Sequence, residues 1–350
     1  WFEFECRSKY GRRFGSSKAF PVDVLQSKRE VGHKVPHQVP RWSFRPFIVD
    51  RLKLLFVCAH PAIDDAMHSP LMLQTVLGAD AAQIARVFLV PPATMAQRLV
   101  RVKRKIKDAR IPFVLPDDTD RAPRLEAVLT AIYAAFSIDW QEDAGALSHE
   151  AHFLASVLAD LMPEEPDARG LAALIGLVEA RRKAARAGGS YVPLPDQDIS
   201  LWDHTLIDRA AHLLTRASTH RQFGRFQLEA AIQAVHARRA TTGRTDWRGL
   251  SQLYAGLIQI HPSLGAALGR ASAVAEEAGP GEGLRLLDLI DPKAVEAFQP
   301  YWATRAHLLA RAGQVQNAAE AYDRAISLSS APTITAWLET RRATLTDALI

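Results

Sequence analysis

The carboxyl-terminal two thirds of the chain is a succession of apolar patterns with helical spacing. From Leu125 to the end, Ala and Leu dominate, and no segment alternates polar and apolar residues as a half-buried strand does. Short runs containing Pro, Gly and Asp, which end helices, separate the patterns. They fall at residues 163–166, 188–198, 223–224, 241–246 and 279–283 and at Pro292. The sequence therefore predicts an all-α fold, with a helical extension over 124–245.

A weak internal period marks the last hundred residues. Gly279 and Gly313 lie 34 residues apart, and Tyr254 and Tyr322 lie at twice that interval. In tetratricopeptide (TPR) repeats, small residues let the two helices of a pair approach, and an aromatic residue fills the space between pairs. The residues of the last unit that fit this pattern are Trp302, Ala306, Leu309, Gly313, Ala318, Tyr322 and Ala325. We predict a TPR-like α-helical repeat domain over 246–350.

A helix-turn-helix pattern precedes the helical extension. Asp80 can cap a short helix, with Gln83 three residues later in the position of a capping box. Pro91 and Pro92 interrupt the chain, and proline is tolerated in the first turn of the helix that follows. A short capped helix, a turn and a longer helix make a helix-turn-helix, whose second helix enters the major groove of DNA.

The second of these helices has a cationic side. Its cations are Arg98, Arg101, Lys103, Arg104, Lys105 and Lys107. Its apolar residues, spaced four, three and four apart, are Met95, Leu99, Val102 and Ile106. We expect this apolar stripe to pack on the preceding helix while the cations point away. The candidate DNA-binding residues form two groups. Those of the first turns, which would reach base edges, are Thr94, Gln97 and Arg98, and those that could reach bases or phosphates are Arg101, Lys103 and Arg104. The alternative is a solvated basic helix with no nucleic-acid role.

Charge is distributed unevenly along the 350 residues. Residues 1–110 hold 20 Lys and Arg against 9 Asp and Glu, a net charge of +11, whereas residues 111–350 carry −6. The basic third is therefore the part suited to a polyanionic partner. A second cationic cluster, at Arg181, Arg182, Lys183 and Arg186, is interpreted as a solvated helix carboxyl terminus, where the helix dipole favours cations.

The chain resembles bacterial extracytoplasmic-function (ECF) RNA polymerase sigma factors over about residues 50–345. The matching segments of their region four are RLKLLFVCAHPA, residues 51–62, and IARVFLVPPATMAQRLVRVKRKI, residues 84–106. One subgroup carries a long helical TPR-like extension, which is similar to this chain in LMPEEP, residues 161–166, in LPDQD, residues 194–198, and in the final repeat. The resemblance implies that residues 49–110 form sigma region four and that 111–123 are a linker.

The same resemblance implies a function and partners. Sigma factors of this type use region four to contact the minus-35 promoter element and to recruit RNA polymerase, so promoter DNA and the polymerase core are the implied partners. By this resemblance, the residues that fall where such factors contact the minus-35 element are Thr94, Gln97, Arg98, Arg101 and Lys103. Region two, which melts the minus-10 element, has no counterpart in the basic segment 1–48. Without region two, this chain would recognise a promoter without opening it.

Residues 1–48 show no sustained helical or strand period. They mix Gly, Ser, Pro, Lys and Arg with isolated aromatic residues. We expect a disordered basic segment, and a frame-shifted stretch that replaces a lost domain is the alternative.

The sequence offers little for other kinds of chemistry. No nucleophile–base pair or carboxylate dyad stands out, so we predict no enzyme and no cofactor. The pairs His149 with His152 and His33 with His37 lack a third metal ligand at a recognisable spacing, and we predict no metal site. A redox or metal role for Cys58 and His60 is the alternative to a buried small residue and a helix-end histidine, which we favour. Two cysteines without a C-x-x-C motif and no apolar run of eighteen residues are typical of a cytoplasmic protein with no membrane partner.

Two other functions remain open. The first is a helical-repeat interaction module that binds a protein or peptide, with a residual helix-turn-helix. The second is a helix-turn-helix repressor with a sensor domain. The resemblance to sigma factors favours promoter recognition over the repressor, while the missing region two keeps the interaction module open.

Overall fold

The computed structural model describes residues 45–347, except 89, 110, 115, 117, 143–145, 190, 221 and 330. Every regular element in these residues is a helix, which confirms the all-α prediction. The described chain forms two compact units, one ending at Ile175 and the other beginning at Gly176. The predictions for residues 1–44 lie outside the described part.

The amino-terminal unit is a cluster of short helices. Its helices are α1 (Arg45–Cys58), α2 (Asp65–Thr75), α3 (Ala81–Val87), α4 (Pro92–Asp108), α5 (Asp118–Glu142) and α6 (Ala146–Leu161), and α7 (Pro166–Glu179) crosses into the second unit. Two bounds differ from the sequence prediction. The first helix of the described residues begins at Arg45, within the segment predicted to be disordered, and α5 begins at Asp118, within the predicted linker.

The core of this unit lies around α2. Helices α1, α3, α4 and α5 all pack against α2, and α5 also packs against α1 and α3. Its largest fully buried side chains are Phe56, Leu55, Ile63, Leu71, Met72, Leu73, Ile84, Met95, Leu99, Tyr133 and Phe136. Helix α5 therefore covers one side of the hydrophobic core that α1–α4 form.

In the carboxyl-terminal unit, α7 is followed by α8 (Arg182–Ala185) and by three single turns of 3₁₀ helix at Ala187–Gly189, Leu194–Asp196 and Ile199–Leu201. The helices that follow are α9 (His204–Ser218), α10 (Arg225–Ala237), α11 (Arg239–Thr242), α12 (Trp247–Ile260), α13 (Leu264–Ala278), α14 (Pro280–Asp288), α15 (Pro292–Val295), α16 (Gln299–Arg311), α17 (Val315–Ser327) and α18 (Pro332–Asp347).

The longer helices of this unit pack in chain order. Helix α10 packs on α12, α12 on α13, α13 on α14, α14 on α16, α16 on α17, and α17 on α18. Small residues permit the closest crossings. A Cβ atom added to Gly283 would lie 2.6 Å from Ala275 Cβ and 2.9 Å from Leu308 Cδ1, so glycine is required where α13, α14 and α16 meet. Each helix thus buries its apolar side mainly against its sequence neighbours.

The cationic cluster before Gly188 contains one buried member. Arg181 is only 6% exposed, so the solvated-terminus prediction is wrong for this residue. Its Nε donates to the Leu177 carbonyl oxygen at 3.1 Å, its Nη2 donates to Gln233 Oε1, and its guanidinium lies over the Trp202 ring. Burial, together with the charge of Arg239, lowers the pKa of Arg181 to about 10, so the side chain stays charged at neutral pH.

Candidate nucleic-acid interface

Helix α3 begins at a reciprocal cap. Asp80 Oδ1 accepts hydrogen bonds from the backbone N–H groups of Ala82 and Gln83, both at 2.8 Å. Gln83 Oε1 in turn accepts from the Asp80 N–H at 3.0 Å, which completes the capping box that the sequence predicts. These bonds satisfy N–H groups that the first helical turn would otherwise leave unpaired. The cap therefore fixes where α3 starts.

A short turn carries the chain from α3 into α4. The Phe88 and Val90 N–H groups donate to the carbonyl oxygens of Ile84 and Ala85, both at 3.1 Å, and close the end of α3. Pro91 is the cap residue of α4, and Pro92 occupies its first turn, as the sequence predicts. Proline suits that position because it has no N–H to leave unpaired.

The predicted apolar stripe of α4 is its buried side. Met95, Leu99 and Val102 are buried, and Ile106 is half-buried. Helix α4 packs with this side against α3 and α2. The orientation of α4 is therefore set by apolar packing, which leaves its other side free to be polar.

The cations of α4 all face solvent. Arg98, Arg101, Lys103, Arg104, Lys105 and Lys107 are exposed. None of the six forms an ion pair or a side-chain hydrogen bond with another described residue. A 17-residue helix with six exposed cations and a single acid, Asp108 at its last position, presents a strong positive potential, which attracts polyanions.

The candidate DNA-binding residues occupy three positions around α4. Gln97, Arg101 and Arg104 lie on the side opposite the buried stripe, because residues three or four apart share one face of a helix. Arg98 and Lys103 lie at the two borders of the stripe, next to buried neighbours one turn away. The third position is the first turn of α4, where the candidate Thr94 is half-buried.

Sequence reasoning missed one residue of this surface. Val100 is 61% exposed and lies between Gln97 and Arg104 on the outward face. The signal was present, since Val100 falls outside the four-three-four spacing of the apolar stripe.

Two other sequence candidates have ordinary structural roles. Burial raises the pKa of the Cys58 thiol to about 11, and its Sγ lies 3.5 Å from Thr75 Oγ1. His60 Nδ1 accepts from the Ala62 N–H at 3.1 Å in the turn after α1. No group of three potential metal ligands occurs within the described part of the chain. Nor does any helix described there have the length and apolar character to cross a membrane.

Comparisons with known proteins place the chain in a family. Residues 124–218, from α5 to α9, match the model of a family of unknown function (DUF6596). The chain is 38% identical over 326 residues to the uncharacterized protein R00370 of Rhizobium meliloti (strain 1021), and the match covers 91% of this chain and 76% of that protein. No solved structure gives a significant match. The chain therefore belongs to the same family as this rhizobial protein.

Proposed function

We propose that the chain is a DNA-binding transcription initiation factor of the ECF sigma type. In this proposal α3 and α4 form a helix-turn-helix that recognises a minus-35 promoter element and recruits the RNA polymerase core. The main support for DNA binding is the exposed cationic face of α4, whose six cations lack acidic partners among the described residues. The resemblance of residues 51–62 and 84–106 to region four supports the assignment to sigma factors.

The geometry of α3 and α4 suits groove binding. A recognition helix needs a fixed orientation, and the capping box of α3 together with the buried stripe of α4 supplies one. Its outward face must be long enough to meet several bases and phosphates. The 17 residues of α4 span about 25 Å at 1.5 Å per residue, which is ample for a major groove about 12 Å wide.

The three positions around α4 suggest different roles in DNA binding. Gln97, Arg101 and Arg104 face outward and are placed to meet base edges, because an inserted helix turns that face toward the floor of the groove. Arg98 and Lys103, at the borders of the buried stripe, are better placed for the phosphates on either side. This revises the expectation that Arg98 reads bases.

We further propose that the carboxyl-terminal unit is a TPR-like array. Helices α16 and α17 are joined at Gly313, whose φ of 74° favours glycine, and they bury Ala306, Ala318 and Tyr322 between them and their neighbours. Tyr254 of α12 packs directly on Gly269 of α13, the close approach that such pairs need. Packing in chain order supports the same interpretation.

A helical-repeat interaction module is the second candidate function. The stacked helices from α10 to α18 favour it, because such arrays offer extended surfaces for a protein or peptide. In that case the cations of α4 would be dispensable for partner binding. The two functions therefore differ in what they require of α4.

The test is a DNA-binding titration of the full chain and two double variants. Arg101→Gln with Arg104→Gln removes two outward cations of α4, and Arg248→Gln with Arg270→Gln removes two exposed cations of the other unit. We expect the first pair to weaken duplex binding by at least tenfold, whereas the second pair leaves it near the parent value. Equal effects of the two pairs would mean that binding depends only on total charge and that α4 is not the interface.

A further inference from the structure

Val100 is an exposed aliphatic side chain at the centre of a cationic surface. It is 61% exposed, and its neighbours three or four residues away on this side of α4 include Gln97, Lys103 and Arg104. Packing does not explain it, because the apolar contacts of α4 are made by Met95, Leu99 and Val102.

Helix formation does not explain Val100 either. A β-branched residue has lower helix propensity than alanine or the straight-chain polar residues, so the helix itself gains nothing from valine here. An exposed side chain with one preferred rotamer is nevertheless well suited to contact, because little conformational freedom is lost when it becomes buried.

The surroundings of Val100 indicate what it could contact. A protein partner would ordinarily meet a cluster of apolar residues, and Val100 is the one large exposed hydrophobic residue described on α4. The major groove of DNA is lined by polar base edges and carries a single kind of apolar group, the 5-methyl group of thymine. Lys103 and Arg104, three and four residues after Val100 on the same side of α4, place cations beside it that complement the phosphates flanking such a methyl group.

We propose that Val100 reads the methyl group of a thymine in the major groove and thereby sets sequence preference at one base pair. The proposal rests on the DNA-binding function of α4 and assigns a specificity role to a residue that carries neither charge nor hydrogen-bonding groups. Gln97 and Arg104, on the same face, would meet the adjoining base pairs through hydrogen bonds.

The test uses duplexes in which deoxyuridine replaces thymidine. This replacement removes only the methyl group and leaves base pairing intact. A tight-binding duplex is first selected from a randomised pool with the full wild-type chain, and each of its thymines is then replaced singly. We expect one or two replacements to weaken wild-type binding by about threefold to tenfold, the value of one buried methyl group.

The second half of the test is the Val100→Ala variant of the full chain. Alanine favours the helix, so the variant should fold as the parent does. We expect it to bind the thymine duplex about threefold to tenfold less tightly and to be insensitive to deoxyuridine at the same positions. Val114→Ala, which alters an exposed valine beyond α4, should keep the wild-type response.

The outcomes separate this inference from the proposed function. If the wild-type chain selects and binds a duplex but no thymine replacement weakens it, or if Val100→Ala keeps the wild-type response, the methyl contact is refuted while DNA binding stands. If the chain enriches no duplex at all, both the contact and the proposed function are refuted.

Discussion

The thiol of Cys58 is enclosed at the end of α1, where burial raises its pKa to about 11. The thiolate is the reactive form of cysteine, so we expect Cys58 to resist thiol reagents in the folded chain. A Cys6→Ser variant leaves Cys58 as the single thiol. Its labelling by a disulfide reagent at pH 8 should be at least a hundredfold slower in buffer than in denaturant. Comparable rates in the two conditions would mean that the thiol is accessible and the buried placement incorrect.

His236 should make the carboxyl-terminal unit sensitive to acid. Burial, reinforced by the charges of Arg181 and Arg239, lowers its pKa from 6.5 to about 3. The unfolded chain therefore binds a proton near pH 6.5 that the folded chain resists, so stability is highest above pH 6.5 and falls as the pH drops toward 3. His261, with a pKa of about 4, shifts in the same direction.

The measurement is urea unfolding of the wild type and His236→Gln at pH 7 and pH 5. We expect the wild type to lose about 2 kcal/mol more than the variant between these pH values, since each pKa unit corresponds to about 1.4 kcal/mol. Identical losses would show that His236 titrates in the folded chain as it does in the unfolded one.

At the scale of elements, the cap of α3 controls the position of the proposed recognition helix. Asp80→Ala removes the acceptor for the Ala82 and Gln83 N–H groups and should lower the free energy of unfolding by about 0.5–2 kcal/mol. Asp80→Asn keeps an acceptor oxygen and should lose much less. Chemical denaturation followed by circular dichroism compares the three proteins, and equal stability of Asp80→Ala and the parent would contradict the role of the cap.

The close crossing of α12 and α13 gives a second element-level prediction. A Cβ atom at Gly269 would collide with the Tyr254 ring, so Gly269→Ala should destabilise the carboxyl-terminal unit by about 1–3 kcal/mol. Gly281, inside α14, has open space around its Cα, and Gly281→Ala should be neutral or slightly stabilising. Thermal melts of both variants test this prediction. A Gly269→Ala protein with the melting temperature of the parent would contradict the close crossing of α12 and α13.

Short-range sequence patterns predicted where helices begin better than they predicted which individual side chains are buried or exposed. The capping box of Asp80 and Gln83 and the proline start of α4 depend on residues within four positions, and both appear where the sequence indicates. Arg181 was misjudged because its partner Gln233 lies 52 residues away, which no local pattern reveals. Val100 was missed because helical periodicity identifies a buried stripe and does not show why an apolar residue lies outside it.

For the whole molecule, α5 links the proposed DNA-binding region to the rest of its unit. It packs on α1, α2 and α3, so a fragment that ends at Lys107 would expose the side of the core that α5 covers. Binding experiments are therefore best made with the full chain. The opposite charges of residues 1–110 and 111–350, +11 and −6, predict that DNA is held by the basic third and repelled elsewhere.

The dependence of DNA affinity on salt tests the central claim most directly. If α4 meets DNA with its exposed cations, binding of the full chain to duplex DNA releases counterions from the contacted phosphates. The logarithm of the association constant should then fall with the logarithm of salt concentration with a slope of about −4 to −5, for four to six phosphate contacts. The Arg98→Gln, Lys103→Gln double variant, which removes the two cations placed at the phosphates, should flatten that slope. A slope near zero, or one that the double variant leaves unchanged, would contradict a nucleic-acid interface on α4.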